Sequence, residues 1–268
     1  LSIKLVAIDI DGTLLNSHHQ ISKKTIDIIK QKRQEGLRIV LASGRPLNGM
    51  LAYTNSLGLT TEDDYIISYN GALAINSGTN EAFVKHTLNY DDLIEFYQLS
   101  QKLNVHSHFV DSKAIYTPNK DISPYTIHEA FLTKMPLFYK EIEEVSPTAS
   151  ISKYMIIDHE EIIDFVMKEI PQPYYDRYNI VRSADFFLEF LNKEASKGLT
   201  LKNLSDKLGI QQSEVMAIGD NENDISMLEY AGVGVAMGNA TQTTKKFADR
   251  ITLANDDEGV AHALEQWT

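Results

Sequence analysis

The sequence predicts an α/β fold: a parallel sheet drawn from both ends of the chain and interrupted by an inserted α+β domain. Three observations carry this. Short apolar runs alternate with helical stretches near both termini, as buried parallel strands and their crossover helices do. The middle of the chain breaks that rhythm with alternating strands and Pro-containing interruptions. The span from Asp11 to Ser43 is nearly filled by one helix, so a covering domain has no room there and falls to the later segment.

Residues 3–10 form a largely apolar run, as a strand buried on both faces would. Ser22 suits the N-cap of a helix reaching about residue 35, which Gly36 ends. Residues 37–42 read as the second buried strand, and Pro46 suits the first turn of a helix to about residue 57, closed by Gly58. A third strand covers 65–68, and Asn70-Gly71 suggests a hairpin returning through 72–75. The texture changes from His86 to Asn192. There a helix follows Asp91, alternating strands lie near 105–110 and 154–157, a helix spans 160–168, and strands at 180–182 and 186–191 pair. From Ser196 the alternation resumes, with strands at 215–218 and 233–236 among helices. The expected domains are therefore 1–85 with 193–268, and 86–192 inserted.

The 268 residues are 43% hydrophobic and 23% charged, enough for a well-buried core and for two domains. A net charge of −12 repels nucleic acid backbones and anionic membranes, so neither is an expected partner. It repels phosphorylated metabolites too, so any phosphate site must be made locally positive by a metal, a lysine or helix N-termini. The lack of cysteine excludes disulfides, thiolate zinc sites and cysteine nucleophiles, and fits a reducing compartment. The N-terminal residues read as a strand, not a signal peptide, and no apolar run approaches the roughly 20 residues that span a bilayer. A soluble, cytoplasmic protein is expected.

Four polar segments follow predicted strands or open predicted helices. The first strand ends in Asp9-Ile10-Asp11-Gly12-Thr13, at the carboxyl edge where ligands gather in parallel sheets. Two aspartates there can approach one phosphate from different directions, or simply shape a turn before glycine. Ser43-Gly44-Arg45-Pro46 offers a hydroxyl and free amides, or an ordinary N-cap. Lys197 opens a helix, where its charge opposes the helix dipole, so it either serves a ligand or is simply solvated. Gly219-Asp220-Asn221-Glu222-Asn223-Asp224 crowds carboxylates with no basic neighbour in sequence, which favours a cation over a plain N-cap cluster. No Gly-x-Gly-x-x-Gly follows the first strand, so a dinucleotide site is excluded, and no histidine spacing such as H-E-x-x-H marks a metal site.

In this order, Asp-x-Asp, Ser, Lys and Gly-Asp-x-x-Asn-Asp, the segments resemble the haloacid dehalogenase (HAD) superfamily of phosphotransferases. The inserted domain looks like the class IIB cap of Cof-type phosphatases, closest to the YidA-type sugar phosphatases. Asn70-Gly71-Ala72 and residues 229–240 belong to the likeness, which runs over the whole chain. The resemblance implies a Rossmann-like parallel-sheet core and an α+β cap. It implies Asp9 as nucleophile and Asp11 as the acid that protonates the leaving alcohol and then activates water. It implies Mg2+ held by the Asp9 carboxylate, the Asp11 carbonyl and Asp220. Phosphate would be held by the Ile10 and Gly44 amides, Ser43, Lys197 and Asn223, with Arg45 and Asp224 in support. The substrate would be a small phosphorylated metabolite such as a sugar phosphate, the cap would exclude water, and Tyr125, His128 and Arg182 are candidates to read the leaving group. A phosphomutase and a metabolite sensor share such a pocket; a sensor has no use for Asp11. Monomer or homodimer is open.

Overall fold

The computed structural model describes residues 2–268. They form two compact units: the chain up to Lys85 together with Ser196–Thr268, and His86–Ala195. In chain order the first unit opens with β1 (Leu5–Ile8), α1 (Lys23–Gln34), β2 (Arg38–Ala42), α2 (Leu51–Leu57), β3 (Tyr65–Ser68), β4 (Leu73–Asn76) and β5 (Ala82–Lys85). The second unit holds α3 (Tyr90–Leu103), β6 (Ser107–Val110), β7 (Ile115–Thr117), α4 (Pro124–Thr133), β8 (Leu137–Tyr139), β9 (Lys153–Ile157), α5 (Glu160–Glu169), α6 (Gln172–Arg177), β10 (Tyr178–Ala184) and β11 (Phe187–Asn192). The first unit is completed by α7 (Lys197–Leu208), β12 (Val215–Gly219), α8 (Ile225–Tyr230), β13 (Val233–Ala236), α9 (Gln242–Lys245), β14 (Arg250–Ile251) and α10 (Gly259–Trp267).

The first unit's sheet has the order β14-β13-β12-β1-β2-β3-β4-β5. Its strands run parallel from β14 to β3, and β4 and β5 are antiparallel additions. Side chains alternate along β1: Val6 and Ile8 join Ile39, Leu41, Met216 and Ile218 on one face, while Leu5 and Ala7 join Val40, Ala42, Val215 and Ala217 on the other. Both faces are buried, which is why these strands read as unbroken apolar runs. The strand order reverses at β1, with β2 and β3 to one side and β12 and β13 to the other. The carboxyl ends of β1 and β12 thus meet at a topological switch point, where a crevice opens above a parallel sheet.

One local expectation needs correction. Pro46 does not open a long helix. It precedes a single 3-10 turn, with Gly49 N donating to Pro46 O at 2.9 Å, and α2 starts only at Leu51. The amides at Ser43–Arg45 are therefore not the N-terminus of an α-helix. The hairpin expected at Asn70-Gly71 is present: β3 pairs antiparallel with β4, Ser68 lies opposite Leu73, and residues 69–72 make the connection. The unit boundary falls at Ser196, a few residues beyond the change of sequence texture. Ala195 N donates to Asn192 O, and the Asn179 side chain donates to Ala195 O, tying this stretch to the second unit.

The second unit is built on a sheet ordered β10-β11-β9-β6-β7-β8. Phe96 of α3 and Ile163 of α5 pack with Tyr154, Ile156 and Phe190 on one face. On the other face α4 brings Glu129 to 3.0 Å from the buried Lys153 Nζ, which Glu189 also meets at 3.3 Å. Burial alone would lower the Lys153 pKa, but the two carboxylates overcome it and hold the pKa up. The neighbouring His108 is fully buried and, by desolvation and the Lys153 charge, pushed down to about 3, so it is neutral at physiological pH. Among the described residues, no helix is long and apolar enough to cross a membrane.

Candidate active site

Asp9 follows the last residue of β1, and its N–H still joins the sheet by donating to Ile218 O at 3.0 Å. Beyond it the chain makes one wide turn, with Leu14 N donating to Asp9 O and Leu15 N to Ile10 O. Gly12 within this turn has φ +77°, and a Cβ there would lie 2.4 Å from Asp220 Oδ2. Only glycine satisfies both the left-handed backbone and the carboxylate beside it. Thr13 Oγ donates to Asp220 Oδ1 at 2.8 Å, so the turn after β1 fixes the carboxylate presented by β12. Asn239 reinforces the turn by donating to Gly12 O at 2.8 Å.

Lys197 comes from a distant part of the chain. Ser196 caps α7 by accepting from Leu199 N, and Gly198 lets the helix approach the Ser226 backbone, which a Cβ would meet at 2.1 Å. The buried Lys197 ammonium then lies 2.6 Å from Asp9 Oδ1 and 2.6 Å from Asp224 Oδ1. Asp224 Oδ2 accepts from Asp220 N at 2.9 Å and Asn221 N at 3.1 Å. Asp224 therefore clamps the Asp220 loop and the lysine, and both its oxygens are engaged.

The carboxylates of Asp9, Asp220 and Asp224 present atoms within 4.8 Å of one another. Burial, followed by the charge of Asp224, raises the Asp9 pKa well above its ordinary value, although Lys197 opposes this. The same two causes push Asp220 up to about 7. For Lys197, burial lowers the pKa, but Asp224 and Asp9 prevail and hold it up. One buried lysine does not neutralise three carboxylates. The hydrogen bonds to the Asp9 and Asp220 side chains fall on Oδ1 of each, from Lys197 and Thr13, which leaves Oδ2 of each without one among the described residues. An all-oxygen donor set with excess negative charge fits a hard divalent cation. The cluster contains Asp224, which was expected only in support, while the Asp11 carboxylate is directed elsewhere.

Asp11 forms a two-pronged ion pair with Arg45, whose Nε and Nη2 donate at 2.7 and 2.6 Å. Burial works against the Arg45 charge, but Asp11 prevails and raises its pKa, and Tyr53 receives the guanidinium against its ring. Ser43 is buried at the end of β2, with its Oγ accepting from Arg45 N at 3.1 Å. Asn223 Nδ2 donates to Asn70 Oδ1 at 3.0 Å, and Asn70 also packs against Gly44. Asp9, Lys197, Asp220 and Asp224 thus form one hydrogen-bonded cluster. Ser43, Gly44 and Asn223 gather around Asn70, with Asn223 adjoining Asp224 in the chain. Ile10 begins the turn after Asp9.

Sequence reasoning missed Thr13, Asn70 and Asn239. Thr13 lies next to the Asp-x-Asp-Gly signal, and Asn70 lies in an Asn-Gly-Ala segment that belongs to the likeness but carries no assigned role. Asn239 lies in the 229–240 segment of the likeness, but its role depends on the backbone of Gly12, which the sequence does not display. In the second unit, Tyr125 stacks on Phe186 at 4.7 Å and its hydroxyl meets His159. His128 meets Phe186 edge-on, and Arg182 is held by Asp164 at 2.6 Å and by Asp185 O.

Comparison with known proteins bears on this geometry. A family model described as haloacid dehalogenase-like hydrolase matches residues 6–264. The chain is 46% identical over 263 residues to "Putative phosphatase YxeH" of Bacillus subtilis (strain 168), covering 98% of this chain and 97% of that protein. A crystal structure of a haloacid dehalogenase-like hydrolase from Bacteroides thetaiotaomicron is 35% identical, with a TM-score of 0.85 over 99% of both chains. The structure of the HAD subclass IIB sugar phosphatase BT4131 is 28% identical, with a TM-score of 0.81 over 98% of both chains.

Proposed function

The chain belongs to the haloacid dehalogenase-like hydrolases and is a phosphatase, and we propose that it is magnesium-dependent and hydrolyses phosphomonoesters of small metabolites, sugar phosphates foremost, through an aspartyl-phosphate on Asp9. The observation that carries this reading is the state of the Asp9 carboxylate. One oxygen is fixed by Lys197 and the other is free, in a buried site at the sheet's switch point. Attack by that free oxygen forms the Asp9 O–P bond as the ester P–O bond breaks. Asp11 gives its proton to the departing alkoxide. It then takes a proton from the water that attacks phosphorus, which breaks the O–P bond to Asp9 and releases inorganic phosphate. Lys197, the Ser43 hydroxyl, Asn223 and the Ile10 and Gly44 amides hold the phosphoryl oxygens, and Asp224 keeps Lys197 in place. Magnesium, held by Asp9, Asp220 and the Asp11 carbonyl, supplies positive charge that lets the dianionic substrate approach these carboxylates. The sugar-phosphate preference is supported by the likeness to BT4131, and a cytoplasmic setting by the absence of cysteine.

The test is phosphate release from a panel of sugar phosphates and other phosphomonoesters. Release is expected with magnesium, to be abolished by chelation and restored by adding the metal back. A panel on which nothing is hydrolysed, or activity indifferent to chelation, overturns the proposal. Transfer between sugar positions without net release would instead identify a mutase.

Asp11 carries its own expectation. Its bidentate pair with Arg45 must open before the carboxyl can reach the leaving oxygen. Asp11→Asn is expected to lower kcat by about 10²–10⁴-fold, the usual worth of a positioned acid–base group. Acid-quenched enzyme should then retain labelled phosphate, because dephosphorylation lacks its base. Unchanged kinetics would remove Asp11 from this role.

A further inference from the structure

Three consecutive residues at the end of β3 are left-handed: Tyr69 (φ 50°), Asn70 (φ 52°) and Gly71 (φ 95°). Asparagine tolerates this region and glycine favours it, but a buried tyrosine does not. Strain of this kind persists only where the surroundings over-determine it. Here the surroundings are three separate pieces of the phosphoryl site. Tyr69 N donates to Arg45 O at 3.1 Å and Asn70 N donates to Ser43 O at 3.0 Å, which fixes the loop after β2. The Asn70 side chain accepts from Asn223 Nδ2 at 3.0 Å, and a Cβ on Gly44 would lie 3.0 Å from Asn70 Nδ2. A Cβ on Gly71 would lie 2.3 Å from Ser196 O, immediately before Lys197, and Thr200 of α7 donates to Gly71 O at 2.8 Å. Reversing β3 into β4 requires none of these contacts.

We infer that the Tyr69–Asn70–Gly71 turn is a positioning device for the phosphoryl site, and that Asn70 is the residue through which it sets Asn223 against the Ser43–Gly44 loop. An amide has two N–H groups. With one held by Asn70 Oδ1, the plane of the Asn223 amide is fixed and its second N–H keeps one direction. Gly44, without a side chain, lets the Asn70 amide lie against the loop. The role argued for Asn70 runs through Asn223 and the backbone of the loop. The inference rests on the phosphatase reading, which the wild-type protein tests separately.

If Asn70 is present only because the backbone is left-handed, glycine serves as well or better. If its amide positions Asn223, glycine fails. Asn70→Gly is therefore expected to melt no lower than wild type. Its kcat for p-nitrophenyl phosphate and its affinity for orthovanadate should nevertheless fall about tenfold, the scale of one lost hydrogen bond. The double variant Asn70→Gly/Asn223→Ala should be no worse than Asn223→Ala alone, since the two residues act as one unit. Wild-type kcat and vanadate affinity in Asn70→Gly, or losses that multiply in the double variant, overturn the inference. Should Asn70→Gly melt lower, Asn70→Asp decides, because it retains the left-handed preference and an oxygen facing Asn223. A kcat well above that of Asn70→Ala supports the inference, and a kcat equal to it overturns the inference. A wild type that neither hydrolyses p-nitrophenyl phosphate nor binds vanadate overturns the phosphatase reading and this inference with it.

Discussion

Asp9→Asn is expected to lower phosphate release by roughly 10⁴-fold or more, as loss of a covalent nucleophile does, while making the metal-free protein no less stable than the wild type. The effect on stability follows from the charge of the site. Asp9 is buried beside Asp224 and Asp220, and all of these influences raise its pKa. The amide variant keeps an oxygen that can accept from Lys197 but removes one negative charge from a cluster that holds too many. The pH dependence has a definite sign. A carboxyl whose folded pKa lies above its unfolded value binds more protons when folded, so its contribution to stability is greatest at low pH and is lost as pH rises through that window. For Asp220 the window runs from about 4 to about 7. Metal-free wild type should therefore lose thermal stability between these values, by an amount on the order of 4 kcal/mol at most. Asp9→Asn should flatten that loss, because it removes Asp9's own raised carboxyl, whose contribution is likewise lost as pH rises. Magnesium should flatten it in the wild type by favouring the ionised carboxylates. Melting curves at several pH values, with chelator and with magnesium, check all three statements. Turnover by Asp9→Asn at the wild-type rate would end the nucleophile assignment, whatever the melting curves show.

How far the site was legible depended on what each residue needed from the rest of the chain. Asp9, Ser43 and Asp220 follow buried strands, and Lys197 opens a helix. The apolar runs locate those ends, and the sheet then brings β1 and β12 together. What the sequence could not display were interactions whose partner is backbone. Asp224 secures Asp220 through two amides. Asn239 holds Gly12 through a carbonyl, and Asn70 matters because of the φ values around it. The helix α4 was missed for a related reason. Pro124 lies in the segment of Pro-containing interruptions, yet at the first helical position after Ser123, whose Oγ accepts from Tyr125 N, proline begins a helix. The helix expected from Pro46 ends at Leu57 with Gly58 left-handed after it, as expected, and differs only in its start. After Pro46 the chain closes only a 3-10 turn before α2 begins at Leu51.

Lys197→Met should damage both the fold and the activity, and so separates the roles that Asp9→Asn leaves joined. The ammonium is fully buried with two short, charge-assisted bonds, and it is the cation of the Asp9–Asp224 pair. At neutral pH its stabilising contribution is complete, because its pKa is raised and lies far above 7. Replacing it with an apolar side chain of similar length preserves volume but leaves Asp9, Asp220 and Asp224 facing one another without a counter-charge. Removing one partner of a buried pair costs about 3–5 kcal/mol, and that cost is expected here in the metal-free protein. The sign of its pH dependence follows from the carboxylates left behind. Acid protonates them and removes the repulsion, so the difference from wild type should narrow as pH falls towards 5. Activity should fall by roughly 10²–10³-fold or more, since a preorganised donor to the phosphoryl oxygens is lost. It should not return at low pH, where the fold is relieved but the donor is still missing. Equal melting temperatures for variant and wild type in chelator would show that the lysine does not stabilise the cluster, and a near-wild-type kcat would show that it does not hold phosphate.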